Sequence, residues 1–188
     1  MKRSLTTKKI VLTGLLAALT LVASYLRITM PVSLSGITSA FHLGNILCAL
    51  SGILLGPWLG GLAAGLGSFI YDLLNPAYIA DSWITFITKF AYGMVTGFIV
   101  FCGSKKWNYI KPLLGTIAGA VTYAALYLFK SYFYTAQILH GLTPDAALLT
   151  LIDKLPATIF NAAVAIVAAP LLAMAIRSAL KNSHLGLE

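Results

Sequence analysis

Long apolar stretches, separated by short polar or glycine- and proline-containing breaks, dominate the pattern along this chain. Each stretch approaches the roughly 20 residues that an α-helix needs to cross a bilayer. The pattern predicts six hydrophobic helices, at about residues 9–27, 41–56, 58–74, 83–102, 112–138 and 156–179. A short further helix is predicted from Thr143-Pro144-Asp145, where an N-cap residue precedes a proline, towards Asp153. The predicted fold is all-α: a single six-helix membrane domain covering residues 1–188.

Composition and charge agree with a membrane protein. The chain is 59% hydrophobic and 10% charged, whereas soluble domains carry about a quarter charged residues. A net charge of +8 would suit a nucleic acid, but the cations are spread between the apolar stretches, so membrane orientation explains them better. The basic N-terminus lacks a clear cleavage site and precedes further apolar stretches, so we interpret residues 9–27 as a helix rather than a signal peptide.

The distribution of charge predicts the orientation in a bacterial cytoplasmic membrane. With the N-terminus in the cytoplasm, nine of the 13 lysines and arginines lie on the cytoplasmic side, as the positive-inside rule requires. These nine are Lys2, Arg3, Lys8, Lys9, Lys105, Lys106, Lys111, Arg177 and Lys181. The four aspartates fall at outer helix ends or in outer loops. An even number of helices then places both termini in the cytoplasm.

Polar side chains within the predicted helices are energetically costly and therefore indicate function. Lys89, Lys130 and Asn161 are predicted about 9, 12 and 8 Å below the outer helix ends. Other polar residues lie nearer the outer surface, and the cytoplasmic half has no comparable set. We therefore predict a cavity that is reachable from outside and closed towards the cytoplasm.

The candidate substrate-binding residues combine these polar groups with aromatic rings that can stack on a ligand. They are His42, Asn45, Asp72, Trp83, Lys89, Tyr127, Lys130 and Asn161. Structural roles are the alternative for each. Lys89 would pair with Asp72 or Asp153, Lys130 would extend to the interface, and Asn161 would bond one helix to another. Trp83 and the tyrosines would form an interfacial aromatic belt.

Motifs for catalysis or metal binding are absent from the sequence. There is no G-x-x-x-x-G-K-[ST], H-E-x-x-H or G-x-S-x-G pattern. Cys48 and Cys102 lie in apolar stretches and form neither a disulfide framework nor a metal pattern. We therefore predict no catalytic residue, no metal, no cofactor and no ATPase site.

Several motifs, taken in order, resemble those of a known family. They are Phe41-His42-Leu43-Gly44-Asn45, Leu55-Gly56-Pro57-Trp58-Leu59-Gly60-Gly61, Gly65-Leu66-Gly67-Ser68 before Asp72, Thr88-Lys89-Phe90 before Gly93 and Gly97, and Asn161. Over nearly its whole length, the chain resembles a substrate-binding S component of an energy-coupling factor (ECF) vitamin transporter. The resemblance is to the riboflavin/hydroxymethylpyrimidine/pyridoxamine-type branch.

The resemblance implies a ligand pocket near the outer face, and a complex with a transmembrane coupling subunit and two ATPases. In this family, an A-x-x-x-A pattern on the first helix often contacts the coupling subunit. Here the nearest match is Gly14-x-x-x-Ala18, with Ala17 beside it. Gly14, Ala17 and Ala18 are therefore the candidate docking residues, although ordinary packing within the chain is the alternative.

The favoured function is capture of a vitamin at the outer face for ATP-driven uptake, with a pyridoxamine-type ligand preferred. Pantothenate, hydroxymethylpyrimidine and riboflavin are alternative ligands, and pantothenate would explain two buried lysines well. The Met30–Ala40 loop is expected to close over the pocket. A self-sufficient facilitator is the alternative of another class, but it would need polar residues through the full depth of the membrane. A membrane enzyme is a third class, without an activated nucleophile to support it.

Overall fold

The computed structural model describes residues 7–29, 39–102 and 108–182, and most of them are helical. The six helices are α1 (Thr7–Tyr25), α2 (Gly44–Leu55), α3 (Pro57–Leu73), α4 (Ser82–Phe101), α5 (Ile110–Lys130) and α6 (Pro144–Asn182). A 3-10 turn, Ile79–Asp81, precedes α4, and a π-helical segment, Ser131–Leu139, continues α5. Two strands, β1 (Arg27–Thr29) and β2 (Ala40–His42), pair in antiparallel register. The prediction of a helical fold with six main helices is confirmed.

Four of the helical stretches are long and apolar enough to cross a membrane. They are Thr7–Tyr25, Ile79–Phe101, Ile110–Leu139 and Pro144–Ala179. In contrast, α2 has 12 residues and extends only about 18 Å along its axis. This is shorter than the hydrocarbon core of a typical bilayer, which is about 30 Å thick.

The helices alternate in direction, which gives the molecule two different ends. At the hairpin end, which contains β1 and β2, the Arg27 Nη1 donates a hydrogen bond to the Tyr78 hydroxyl at 3.1 Å. The Trp83 Nε1 donates to the Tyr134 hydroxyl at 3.3 Å. The opposite end, here called the glycine end, contains the α2–α3 turn, the end of α4 and the start of α5.

Glycines allow α2, α3 and α4 to pack closely at the glycine end. Gly56 forms the α2–α3 turn with a φ of 83°, a left-handed conformation that favours glycine, and Pro57 starts α3. A Cβ on Gly60 would lie 2.5 Å from the Gly52 Cα, and one on Gly93 would lie 2.7 Å from the Gly60 carbonyl oxygen. Small residues therefore bring these backbones into direct contact, as is usual between membrane helices.

The structure corrects the predicted start of the sixth helix. One continuous helix begins at Pro144, whereas the sequence pattern predicted a short helix and a new start at 156. Pro156 lies inside this helix, and Pro170 does as well. A proline removes one backbone donor, and membrane helices tolerate this loss where neighbouring helices support the chain. From the sequence alone, Pro156 was interpreted as the first residue of a new helix.

Smaller differences occur at other helix ends. The first helix ends at Tyr25 rather than at 27, and α2 begins at Gly44 rather than at 41, because the intervening residues form the hairpin. Strands of three residues are too short to produce a recognisable period-2 pattern. Apart from Ser39 and Ala40, the Met30–Ala40 loop lies outside the described residues. The predicted cytoplasmic cations Lys2, Arg3, Lys105 and Lys106 also lie outside them.

Candidate ligand-binding site

A cavity with a volume of about 170 Å³ lies at the hairpin end. Residues from every helix, from both strands and from the π-helical segment line it. A cavity that holds a single water is far smaller, on the order of 10–15 Å³. The cavity therefore matches a small organic molecule in size.

The structure brings seven of the eight candidate binding residues together around this cavity. They are His42, Asn45, Asp72, Lys89, Tyr127, Lys130 and Asn161. Trp83 is not among the lining residues, and its side chain is 53% exposed. It packs edge-on against Tyr134, with ring centroids 5.6 Å apart. The structure therefore separates Trp83 from the other seven.

Lys89 is buried between α2 and α5. Its Nζ donates a hydrogen bond to the Asn45 Oδ1 and lies 4.0 Å from the centroid of the Tyr123 ring. A cation over the face of an aromatic ring is stabilised electrostatically. The partner seen for Lys89 is therefore an amide and a ring, rather than the carboxylate of Asp72 or Asp153.

Asn161 joins α6 to the β-hairpin. Its Oδ1 accepts a hydrogen bond from the His42 backbone N–H at 3.0 Å, and its Nδ2 donates to the Ala40 carbonyl oxygen at 3.1 Å. Both partners are in β2, so one side-chain amide pairs with a backbone N–H and a backbone carbonyl group of this strand. Asn161 thereby positions the strand that brings His42 to the cavity.

Lys130 and Asp81 form an ion pair across the cavity wall. The Lys130 Nζ lies 2.9 Å from the Asp81 Oδ2. The Thr135 hydroxyl, in the π-helical segment, lies 3.4 Å from both carboxylate oxygens. The end of α5 is thereby tied to the start of α4.

Sequence reasoning missed Lys154 as a cavity residue. It is 4% exposed, and its Nζ donates a hydrogen bond to the Ser131 Oγ at 3.1 Å. Because α6 starts at Pro144, Lys154 lies about 15 Å along the helix, not in a loop. The signal was present, since Ala157, Asn161 and Ala165 form a stripe that extends one further turn to Lys154.

Arg27 and two tyrosines complete the wall next to β1. The Arg27 guanidinium lies 5.8 Å from the Tyr71 ring centroid and 5.3 Å from that of Tyr78. Neither tyrosine was predicted from the sequence to be part of the site. The two tyrosines do not share a regular helical spacing in the sequence, because Tyr78 lies in the connection between α3 and α4.

Cations outnumber acids in the lining. The cationic residues are Arg27, Lys89, Lys130 and Lys154, and the acidic ones are Asp72 and Asp81.

Burial, together with the charges of Lys89 and Arg27, lowers the pKa of His42 from its usual 6.5 to about 3. His42 is therefore neutral at physiological pH, and its buried Nδ1 has no hydrogen-bond partner among the described residues. Those residues also include no group of three or more His, Cys, Asp or Glu side chains that would hold a metal ion.

The three candidate docking residues on α1 differ in their surroundings. Gly14 and Ala18 are exposed, and a Cβ on Gly14 would meet nothing within 4 Å. Ala17 is buried, and its carbonyl oxygen packs against Gly67 of α3. Gly14 and Ala18 therefore lie on the outer surface of the bundle, whereas Ala17 packs within it.

A solved structure shares the fold of this chain, and a curated protein is similar to it in sequence. A solved S component for biotin from an ECF-type ABC transporter matches with a TM-score of 0.62 at 16% identity, covering 90% of this chain and 94% of that one. A protein of Pyrococcus woesei, described as an uncharacterized protein in a gap 3' region, is 29% identical over 124 residues. That alignment covers 66% of this chain and 74% of the relative.

The family comparison covers nearly the whole chain. The model of the ECF-type riboflavin transporter S component matches residues 4–178. Proteins of this family are membrane-embedded transport subunits and not enzymes, and they work with a transmembrane component and ATPases. The chain is accordingly a multi-pass cell-membrane protein that belongs to the family of ECF-type riboflavin transporter S components.

Proposed function

We propose that this S component captures a small anionic, vitamin-like molecule in the cavity at the hairpin end, for ATP-driven uptake. The observation that carries the proposal is the cavity itself, which collects buried polar groups from helices far apart in the sequence. Ionisable groups within a membrane are costly and usually mark a substrate path or site. Pockets of this kind combine aromatic walls with a few fixed polar groups.

Charge favours an anionic ligand such as pantothenate over the pyridoxamine-type ligand that the sequence suggested. Four cationic residues face two acidic ones, and Asp81 already pairs with Lys130. An amine-bearing ligand would add a further positive charge to this surplus. The pyridoxamine-type ligand remains the second candidate because Asp72 can accept a hydrogen bond from an amine, and the Tyr127 ring can stack on a pyridine.

The cavity volume by itself does not select the vitamin. The volume of about 170 Å³ is the space among the described residues, and residues 30–38, which connect β1 to β2, lie outside them. The family name does not decide the ligand either. The biotin-binding relative is similar in fold at 16% identity, and that level of similarity leaves the ligand open.

A panel of binding measurements tests the proposal. Protein purified in detergent is titrated calorimetrically with pantothenate, pyridoxamine, hydroxymethylpyrimidine and riboflavin, and mass spectrometry identifies any co-purifying molecule. We expect binding of at least one small vitamin, with pantothenate favoured. If no vitamin binds and none co-purifies, the proposal is wrong.

The proposal includes a coupling subunit and two ATPases as partners, with Gly14 and Ala18 on the docking surface. Small exposed residues let a partner helix approach closely. Reconstitution separates this role from that of a facilitator. Uptake into liposomes is expected only when the coupling subunits and ATP are present, whereas uptake by the isolated chain would support a facilitator.

We also propose that the six-helix bundle spans the membrane with both termini in the cytoplasm, so that the hairpin end faces outwards. Cys102 is exposed near the glycine end, whereas Cys48 is buried. A membrane-impermeant maleimide should therefore label the protein in inverted vesicles but not in intact cells. Cys102→Ser is the control that should abolish labelling, and labelling of intact cells would reverse the orientation.

A further inference from the structure

Lys154 is the buried lysine of the cavity with the weakest compensation. Lys130 has a carboxylate partner at 2.9 Å. Lys89 has the Asn45 amide and a ring face at 4.0 Å. The hydrogen-bond partner of Lys154 is the neutral Ser131 hydroxyl, and its Nζ lies 5.3 Å from the Tyr127 ring centroid. Lysines are almost never fully buried without a compensating charge.

The acidic group that acts electrostatically on Lys154 is Asp81. That carboxylate is already bound to Lys130 and is held by the Thr135 hydroxyl. Lys130 and Lys154 flank the same ring, since the Lys130 Nζ lies 6.0 Å from the Tyr127 centroid. The other carboxylate of the lining, Asp72, acts electrostatically on Lys130 and Lys89. Two carboxylates therefore face three lysines, and a further negative charge beside Lys154 would bring the site closer to balance.

We propose that Lys154, held in place by Ser131, is the anion-binding residue of the cavity and receives the carboxylate of the transported molecule beside the Tyr127 ring. This inference rests on the proposed function, because it assumes a vitamin-sized ligand in the cavity. It specifies which side chain recognises the negative charge of the ligand and where the acidic end of the ligand lies. The ligand's other end then faces Asp72, the neutral His42 and the hydroxyl groups of the lining.

Pairs of compounds that differ in one charge test this assignment. The probes are pantothenate with panthenol, nicotinate with nicotinamide, and biotin with biotinamide, each titrated calorimetrically into wild-type protein and Lys154→Gln. In at least one pair, we expect the wild type to bind the carboxylate ten- to a hundredfold more tightly than the neutral partner, as for a charge-assisted hydrogen bond. In Lys154→Gln this preference should fall below threefold, mainly through weaker binding of the carboxylate.

Two control variants separate charge recognition from general damage. Lys154→Arg keeps the positive charge and should keep most of the preference. Lys111→Gln removes a positive charge from a position outside the cavity lining, so it should keep the preference as well. If Lys154→Gln does not fold, Ser131→Ala replaces it, and the loss of the lysine's hydrogen-bond partner should lower the preference three- to tenfold.

Two results would overturn the assignment: a wild type that prefers no carboxylate in any pair, or a preference that survives in Lys154→Gln. Binding of pyridoxamine, hydroxymethylpyrimidine or riboflavin without any carboxylate preference would overturn the assignment and leave vitamin capture standing. Absence of binding to every compound tested would overturn both.

Discussion

The two ends of this bundle satisfy their buried polar groups in different ways. At the glycine end, hydroxyl groups bond within their own helix: Thr116 donates to the Pro112 carbonyl oxygen, and Ser51 donates to that of Leu47. At the hairpin end, long polar side chains bond between elements, as Lys89 does with Asn45 and Asn161 with β2. The hydroxyl groups named at the first end therefore bond within one helix, whereas the second end holds donors and acceptors that line a cavity.

The difference shows how one small bundle can combine close helix packing at one end with a cavity for a ligand at the other. Direct contact between glycine backbones closes the glycine end and leaves little space. At the hairpin end, longer polar side chains line a cavity. We therefore expect substitutions at the glycine end to change stability and those at the hairpin end to change ligand affinity. The following experiments test this division.

The largest effect is expected from Gly60→Leu at the glycine end. Its Cβ would lie 2.5 Å from the Gly52 Cα and from the Ser51 carbonyl oxygen, so the helices must separate. We expect a loss of about 3 kcal/mol in the free energy of unfolding, the upper range for overpacking, measured by denaturant titration in detergent. Gly14→Leu is the matched control, because no atom lies within 4 Å of that position. Equal stability of the two variants would contradict close packing at this end.

At the hairpin end, Asn161→Ala removes both side-chain hydrogen bonds to β2. Each is worth about 0.5–1.5 kcal/mol, so the Kd of the ligand identified in the panel should rise about ten- to a hundredfold, with the helices still folded. Calorimetry and circular dichroism measure the two properties. Asn161→Asp keeps the acceptor for the His42 N–H and should have an intermediate effect. An unchanged Kd in Asn161→Ala would show that β2 does not contribute to binding.

The Lys130–Asp81 pair allows a finer test within the cavity wall. Lys130→Ala leaves the Asp81 carboxylate without its partner, so it should weaken binding of an anionic ligand more than the double variant with Asp81→Ala does. The coupling between the two substitutions should be about 1–2 kcal/mol, between the values for exposed and fully buried pairs. A double-mutant cycle on ligand Kd and unfolding free energy gives this number. Additive effects would mean that the ion pair has no influence on the site.

The smallest effect is expected from Trp83→Ala. Its side chain lies outside the cavity lining and is 53% exposed, so the ligand Kd should change less than about threefold, as for a surface position. Tyr127→Ala is the comparison, because its ring lies in the cavity wall and its loss should weaken binding about tenfold. A large loss of affinity in Trp83→Ala would return this residue to the site and extend the receptive region beyond the cavity.

The sequence by itself determined the helical membrane fold and where most of the cavity residues would lie along the chain. Hydrophobicity is a local property, so it shows which segments are helical, and the depth of a residue follows from its distance to a helix end. Lys89, Lys130 and Asn161 were placed at one end of the bundle by this reasoning alone.

Only the tertiary structure decided which of these side chains meet. Whether Lys89 contacts Asp72 or Asn45 depends on the rotation and tilt of helices that are far apart in sequence. The continuity of α6 through Pro156, which brings Lys154 into the cavity, depends on packing that offsets the lost backbone donor. The exclusion of Trp83 has the same origin, since hydropathy places a residue along a helix but does not specify the neighbours towards which it points.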